Sequence, residues 1–297
     1  MAELAARQTV DLAIDFAGRL ALELQAELLA VPVQERDLFA SLFWRMQRGC
    51  SWQPALRKDG RAAMVELEEW LGPVLTARSQ QPGEDYLSAM LQLQDGVTAR
   101  DVVVTLLERD HETLHGALAN MFFQLLSHEE EFAKARSDRR LMKLAYLETL
   151  RYSTPVLSAD RFARHEVERF GKLIPAGARL ILSAAAGNRD ATVFQQPDQF
   201  IIDRKDLCQR EPRGQYRADG LATGIAFGLG KPSIYPALPE DRPRSRYALT
   251  RDVAVEAAWQ LCTALPNLRL APDVQPTLSS LTVGEMHTCR HLPVITA

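Results

Sequence analysis

The sequence predicts a mainly α-helical protein with a small β portion near its C-terminus. Three observations support this class. Apolar residues recur at helical spacing through the first half of the chain, which is typical of amphipathic helices. After Pro155 the sequence changes to short β-like runs punctuated by glycine and proline. The composition, 46% hydrophobic and 25% charged residues, is that of an ordinary globular protein.

The first hundred residues predict a series of helices separated by clear breaks. Residues 1–30 carry one apolar stripe, and Pro32 interrupts the helix that this stripe predicts. A second helix ends at Gly49, and two more are predicted over residues 60–78 and 84–94. The apolar stripe of the first helix consists of Leu12, Phe16, Leu20, Leu24 and Leu28.

A long helix is predicted over roughly residues 99–127. Thr98 and Asp101 have the spacing of a capping box, with aspartate in place of the usual glutamate. The apolar stripe of this helix is broken by the charged patch Glu108–Asp110. The predicted helix therefore carries large charged groups at a point where its neighbours in the sequence are apolar.

The rest of the chain is predicted to contain both helices and strands. Two shorter helices are predicted over residues 129–136 and 138–152. A polar meander rich in proline and glycine runs from about 195 to 246, and a final helix covers about 248–264. In the tail, residues 267–297, apolar and polar residues alternate enough to predict β-hairpins.

We expect one domain with three parts. Residues 1–155 are predicted to be helical, and residues 156–246 to hold β-hairpins, the meander and a glycine-opened loop. Residues 247–297 are predicted to form the last helix and the C-terminal hairpins.

Charge and cysteine usage exclude several classes of function. The net charge of −3 and pI of about 6.1 give no indication of a nucleic-acid partner. No apolar run approaches the length of a bilayer span, and the acidic N-terminus lacks the apolar core of a signal peptide. The four cysteines have no CxxC spacing, which predicts free thiols in a reducing cytoplasm. They are Cys50, Cys208, Cys262 and Cys289.

Four segments, taken in order, resemble the cytochrome P450 family. "PGEDYLSAMLQLQDGVTARDVVVTLLERDHETLHGALANMFFQLLSHEEEF" resembles the family's long distal helix and its approach. "LETLRYSTPV" carries a Glu-x-x-Arg pair, Glu148 and Arg151, and the following stretch matches most closely in "AGNRDATVFQQPDQF". The glycine-opened loop contains Phe227, Gly228 and Gly230. The order and spacing of these segments make the resemblance specific, and it implies the mainly α haemoprotein fold.

The resemblance also implies structural roles for two of these segments. In the family the Glu-x-x-Arg pair ties its helix to the meander, so we expect Glu148 and Arg151 to pair across one turn. Phe227, Gly228 and Gly230 correspond to the start of the loop that carries the haem-thiolate cysteine in the family.

The glycine-opened loop departs from the family pattern at the iron ligand. Counted from Phe227, the cysteine position holds Ile234, and counted back from the following helix it holds Arg244. Neither supplies the thiolate that holds the iron in this family. Tyr235 lies one residue beyond Ile234, and a phenolate is an alternative iron ligand.

The distal helix departs from the family as well. Arg109 and Asp110 replace the small Ala-Gly pair that leaves room for oxygen beside the haem. We expect them to form a charge pair that fills this space, because unpaired buried charges are costly. Glu112 and Thr113 match the acid–alcohol pair that delivers protons in the family. His111 and His115 lie one helical turn apart, but no third metal ligand accompanies them, so no metal site is expected.

Two further expectations follow from the resemblance. Arg161 occupies the register of a residue that binds a haem propionate in the family, with a structural ion pair as the alternative role. The N-terminal portion of full-length family members has no counterpart in this sequence. A strand over residues 178–187 would then lack its usual partner and expose an edge, which we expect a second copy or a partner protein to cover.

Three hypotheses of function follow. The first is a haem-free P450 homologue without cofactor that assists a biosynthetic enzyme, similar to the cysteine-less auxiliary proteins of bacterial natural-product glycosyltransferases. The second is a haem-independent cyclase or isomerase that uses Arg109, Asp110, His111, Glu112 or Thr113 in the former pocket, with a small apolar or glycosylated ligand. The third is a haem monooxygenase with a substituted iron ligand. A biosynthetic partner protein or a homo-oligomer is expected, and no nucleic acid.

Overall fold

The computed structural model describes residues 2–49, 53–108, 111–206, 246–272, 276–279 and 287–296. The chain divides into two compact units. One comprises Met1–Asp15, Gly116–Ser279 and Glu285–Ala297, and the other comprises Phe16–His115 and Ser280–Gly284.

The described residues form α-helices and short β-strands that we number in chain order. The helices are α1 (Ala2–Ala5), α2 (Arg19–Leu28), α3 (Arg36–Arg48), α4 (Pro54–Gln80), α5 (Tyr86–Leu93), α6 (Ala99–Glu108), α7 (His111–Ser127), α8 (Glu129–Ala135), α9 (Arg139–Tyr152), α10 (Ala184–Gly187) and α11 (Arg246–Ala264). The strands are β1 (Thr9–Asp11), β2 (Ser158–Phe162), β3 (Val167–Arg169), β4 (Lys172–Ile174), β5 (Arg179–Ser183), β6 (Arg269–Leu270), β7 (Thr277–Ser279), β8 (Thr288–His291) and β9 (Pro293–Ile295).

The unit built on Phe16–His115 is held together by the packing of α3 against α4. The buried face of α3 consists of Phe39, Leu42, Phe43 and Met46, the i, i+3, i+4, i+7 pattern of an amphipathic helix. α4 opposes it with the buried residues Ala63, Leu67 and Leu71. The two helices meet most closely at glycines. A Cβ on Gly60 would lie 2.4 Å from the Cα of Gly49, so no side chain fits there.

The capping box before α6 is confirmed. The Asp101 carboxylate accepts a hydrogen bond of 2.9 Å from the backbone N–H of Thr98, and the Thr98 hydroxyl accepts one of 3.2 Å from the N–H of Asp101. The Thr98 hydroxyl also donates a 2.6 Å hydrogen bond to the Asp101 carboxylate. This bond, followed by the one from the Thr98 N–H, lowers the pKa of Asp101. The helix predicted over 99–127 is represented by α6 and α7, and residues 109–110 lie outside the described part of the chain.

The predicted helix over residues 1–30 is wrong in its first half. Thr9–Asp11 is the strand β1, and a π-helical turn, Leu12–Gly18, precedes α2. The strand forms because β1 pairs antiparallel with β9, with Val10 opposite Val294. This pairing joins the two ends of the described chain, and helical spacing in the local sequence carries no sign of it.

The larger unit contains α9, α11 and most of α7 together with four small sheets. β1, β9 and β6 form a three-stranded sheet, and β2–β5, β3–β4 and β7–β8 are antiparallel pairs. The residues buried completely within α7 and α9 include Leu118, Phe122, Leu125 and Tyr146. The strand predicted over 178–187 is shorter than expected, since Ser183 caps the short helix α10 through a 3.1 Å bond to the N–H of Ala186.

A helix that crosses a bilayer needs about 20 consecutive, predominantly apolar residues. Within the described ranges, no helix combines the length and the apolar character that this requires.

Candidate functional site

Glu148 and Arg151 form a completely buried ion pair at the end of α9. Arg151 Nε and Nη2 each donate a 2.8 Å hydrogen bond to a different carboxylate oxygen of Glu148. The two side chains are one turn apart and are 0% and 1% exposed. The bond is bidentate, which is the strong geometry for a guanidinium and a carboxylate.

The remaining donors of Arg151 hold the segment that follows α10. Its Nη1 donates to the carbonyls of Asn188 and Pro197, at 2.9 and 2.8 Å, and its Nη2 donates to that of Gln199 at 3.0 Å. From here on, the meander denotes residues 188–206, which include the described start of the stretch predicted over about 195–246. Because carbonyls inside a protein need donors, Arg151 stabilises the meander against α9.

A second guanidinium, that of Arg204, reaches the same carboxylate. Arg204 Nε lies 3.2 Å from Glu148 Oε2, and the Arg204 side chain is 3% exposed. Arg204 also contacts Asp206 at 2.9 Å. Burial alone would raise the pKa of Asp206. The hydrogen bonds that its carboxylate accepts from the Gln195 N–H and from Arg204 have the larger combined effect, so the pKa of Asp206 is lowered. Two cations therefore face two carboxylates, and the buried cluster is neutral overall.

The charge cluster consists of Glu148, Arg151, Arg204 and Asp206. The meander contributes a backbone donor and an aromatic ring to this cluster, and a further donor to Glu131 on α8. The N–H of Ile201 donates to Glu148 at 3.0 Å, and that of Ile202 donates to Glu131 at 2.8 Å. The ring centroid of Phe194 lies 5.2 Å from Arg151 Cζ. The sequence did not indicate Arg204, because no motif spacing connects it to Glu148; only the folded meander brings them together.

A cavity of about 320 Å³ adjoins the charge cluster within the same unit. Its lining combines polar and apolar side chains: Gln124, Arg151, Tyr152, Ser153, Thr154, Leu157, Ala185, Arg189 and His287. Arg189 lies over the ring of Tyr152 with a distance of 4.0 Å to the centroid. Burial lowers the pKa of His287, which favours its neutral form.

Asn120 on α7 fixes the wall of this cavity. Its amide nitrogen donates to the carbonyls of Ser153 and His287, at 2.9 and 2.8 Å. Its amide oxygen accepts a 2.7 Å bond from the N–H of Cys289. One fully buried side chain thus joins α7, the end of α9 and β8. Close packing continues at Gly116, where a Cβ would lie 2.8 Å from Thr288 Oγ1.

Most residues of the predicted distal and loop sites are outside what the structure describes. Arg109 and Asp110 fall in a gap, as do Phe227, Gly228, Gly230, Ile234 and Tyr235. The backbones of His111, Glu112 and Thr113 belong to α7, but their side chains are not described. The roles predicted for these residues stay predictions.

His115 and Arg161 are described. The His115 ring meets Trp44 edge to face, with centroids 6.0 Å apart. No cluster of three potential metal ligands occurs in the part of the chain that the structure describes. Arg161 lies on β2, opposite Leu180, and its side chain is exposed. Its Nη1 donates to the carbonyl of Asp160 at 2.7 Å.

The two described thiols lie on elements other than the glycine-opened loop, Cys262 on α11 and Cys289 on β8. Burial is the main cause that raises the pKa of both thiols to about 12. Without a metal, this favours the protonated thiol.

Comparisons with known proteins agree on one family. The cytochrome P450 family model matches residues 102–210. Cytochrome P450 107B1 of Saccharopolyspora erythraea is 34% identical over 280 residues, which cover 91% of this chain and 62% of that protein.

Solved structures give the same fold. A structure from a study of unusual cytochrome P450-like monooxygenases involved in microbial secondary metabolism is 26% identical, with a TM-score of 0.76, and the match covers 100% of this chain and 72% of that one. P450BioI in complex with an acyl carrier protein ligated to hexadec-9Z-enoic acid gives a TM-score of 0.78 at 22% identity, over 100% of this chain and 70% of that one.

The chain belongs to the cytochrome P450 superfamily, and its fold is the mainly α fold of that family with small sheets. It spans 62% of the length of the 107B1 relative.

The expectation that the protein takes no cofactor is corrected by these comparisons, because its relatives and structural neighbours are P450 proteins and point to haem. The expectation of no haem rested chiefly on the cysteine that the loop lacks. The iron ligand is a single position, whereas the similarity to cytochrome P450 107B1 extends over most of the chain.

Among the described residues, Arg161 suits one part of a haem, the propionate group. The exposed guanidinium of Arg161 suits a propionate carboxylate. In the family the iron ligand comes from the glycine-opened loop, and Phe227, Gly228 and Gly230 of that loop lie outside the described residues.

Proposed function

We propose that the protein is a haem monooxygenase of bacterial secondary metabolism whose iron ligand is not the usual cysteine. The observation that carries this proposal is the 34% identity to cytochrome P450 107B1 across 91% of the chain. The buried cluster of Glu148, Arg151 and Arg204 supports it, because this cluster holds the meander that precedes the ligand loop in the sequence. Bound haem would supply the oxygen chemistry of the family.

The roles of this chain's own residues follow from their chemistry. Arg161 binds a propionate through its guanidinium. Glu112 and Thr113 transfer protons on the distal side, as the resemblance implies. Tyr235 is the candidate for the iron ligand, since a phenolate is an anionic donor that holds haem iron in other proteins.

The proposal is tested by measuring haem content and its dependence on Arg161. The full chain is produced with a haem precursor, and haem per chain is measured after denaturation as the pyridine complex. We expect about one haem per chain by the stoichiometry of the family, and weaker retention for Arg161→Ala. Arg164→Ala is the matched control, since Arg164 is also an exposed arginine. A wild-type protein that acquires no haem would contradict the proposal.

A second function is favoured by the residue at the ligand position. The position where the family has cysteine holds Ile234 counted from Phe227, or Arg244 counted back from the following helix. A P450 fold without its usual ligand can serve as a binding partner of a biosynthetic enzyme, such as a glycosyltransferase. This function predicts a stable complex with that enzyme and an increase in its turnover when the complex forms. Turnover by this chain alone, with a redox partner supplied, would favour the monooxygenase instead.

A further inference from the structure

Gln124 on α7 is a buried residue whose side-chain amide is unpaired. The residue is 7% exposed, and its backbone carbonyl accepts a 2.8 Å hydrogen bond from the ring Nδ1 of His128. Among the described residues, the side-chain amide has no hydrogen-bond partner. Buried amides are normally paired, because unsatisfied donors and acceptors are costly. The Gln124 amide therefore indicates a bound molecule as its partner.

The Gln124 side chain borders the cavity beside the charge cluster. Gln124 lies one turn after Asn120, and residues four apart share one face of a helix. The Asn120 amide reaches the carbonyls of Ser153 and His287, at 2.9 and 2.8 Å. Both of these residues and Gln124 line the cavity of about 320 Å³. The amide of Gln124 therefore faces the wall that Ser153 and His287 form.

Ser153 and His287 add two neutral polar groups to this wall. Ser153 is 7% exposed, and its hydroxyl has no partner in the described parts of the chain. The backbone N–H of His287 donates to the carbonyl of Pro155 at 2.7 Å, while its ring is likewise unpaired among the described residues. Burial lowers the pKa of His287, so its ring keeps one donor and one acceptor nitrogen at neutral pH.

The charged groups that line the cavity are already compensated. Every N–H donor of Arg151 is used by Glu148 or by a meander carbonyl. Arg189 pairs with Asp198 at 2.7 Å and donates to the carbonyl of Tyr152, also at 2.7 Å. The described lining contains no acidic side chain and no lysine. A charged ligand would therefore find no free opposite charge there.

The size of the cavity and its apolar lining limit the ligand further. Ligand pockets usually measure about 300–1,000 Å³, so this cavity is at the small end of the range. Leu157 and Ala185 provide apolar contact beside the three polar groups. None of the lining residues is among those that the resemblance assigns to haem or to the distal site, so the inference does not depend on bound haem.

We propose that this cavity binds a neutral hydroxylated molecule of about monosaccharide size, held by hydrogen bonds to Gln124, Ser153 and His287. A hydroxyl group both donates and accepts, as do an amide, a serine hydroxyl and a neutral imidazole. Several hydroxyls on one small ring can therefore satisfy all three side chains together. A carboxylate or an ammonium group would be buried without a counter-charge, which is costly.

An NMR titration of the full chain with three matched sugars tests the class of ligand. Glucose is neutral, whereas glucuronate and glucosamine keep its ring and add a carboxylate or an ammonium group. We expect saturable binding of glucose and binding of the two charged sugars that is weaker by about tenfold or more. Absence of saturable glucose binding would overturn the proposal, and equal binding of glucose and either charged sugar would contradict the neutral class.

Two substitutions test the position of the site. Gln124→Leu removes the amide with little change in size, and Ser153→Ala removes the hydroxyl alone. We expect each to weaken glucose binding by several-fold to about tenfold, the usual effect of one lost hydrogen bond. Gln80→Leu is the matched control, because Gln80 is an exposed glutamine at the end of α4. Circular dichroism establishes that each variant is folded, and unchanged glucose affinity in folded Gln124→Leu and Ser153→Ala would overturn the proposal.

Discussion

Arg151 Nη2 lies 2.8 Å from Glu148 Oε1, and neither side chain is accessible to solvent beyond 1%. Arg204 shares the same carboxylate at 3.2 Å. Glu148 is thus the carboxylate that the two buried cations share, and the meander is attached to α9 through all three residues.

Removing the Glu148 charge should cost much of the stability of the larger unit. Glu148→Gln keeps the size of the side chain but leaves Arg151 without its carboxylate partner, and Arg204 with Asp206 alone. We expect a loss of about 3–5 kcal/mol in the free energy of unfolding, measured by denaturant titration. Asp198→Asn is the control, because Asp198 pairs with Arg189 but its side chain is 82% exposed, so its loss should change little. Equal effects of the two substitutions would show that the Glu148 pair is solvated.

Replacing Asn120 should weaken the contact between α7, α9 and β8. Asn120→Leu leaves two carbonyls and one N–H without partners in a buried position. We expect a loss of about 1–3 kcal/mol for such unsatisfied groups, measured by thermal or urea unfolding. Gln124→Leu provides the comparison. Gln124 lies one turn later on α7 and is also buried, and its side-chain amide has no hydrogen-bond partner in the described parts of the chain. A similar loss for both would contradict this account of Asn120.

The start of α9 depends on a side-chain cap. Asp138 accepts a 2.6 Å bond from the N–H of Arg140. Asp138→Ala should lower stability by about 1 kcal/mol, while Asp138→Asn should retain most of it. Chemical denaturation of the two variants beside the wild type distinguishes them, and equal losses would assign the effect to the charge of Asp138 and not to capping.

Stability should fall below neutral pH because of His287. Burial lowers its pKa in the folded protein from the ordinary 6.5. Above about 6.5 both the folded and unfolded forms are neutral, so His287 contributes no pH dependence there. As the pH falls below that value the unfolded chain takes up a proton first, and the folded state loses stability until its own pKa is passed. The melting temperature of His287→Gln should decline less than that of the wild type over this range. Parallel curves would refute the assignment.

Sequence patterns predicted the features that depend only on residues within one helical turn of each other. The Thr98–Asp101 capping box and the Glu148–Arg151 spacing both lie within one turn of a helix, and the structure has both sets of bonds. β1 was missed because its partner, β9, lies at the other end of the chain. Arg204 was missed for the same reason, since the meander must fold before it meets Glu148. The cofactor was misjudged from the missing cysteine, at Ile234 or Arg244, and from the charged residues Arg109 and Asp110 in the distal helix. The similarity of most of the chain to P450 proteins points the other way.

The visible absorption spectrum of the purified full chain, before and after reduction under carbon monoxide, tests the central claim most directly. The account predicts a haem absorption band with about one haem per chain, the stoichiometry of the family. It also predicts a carbon monoxide complex without the band that marks thiolate ligation. Tyr235→Phe should lose the haem or change its spectrum. A protein that shows no haem band, although the precursor was supplied, would contradict the claim, and a thiolate-type band would show that a cysteine holds the iron after all.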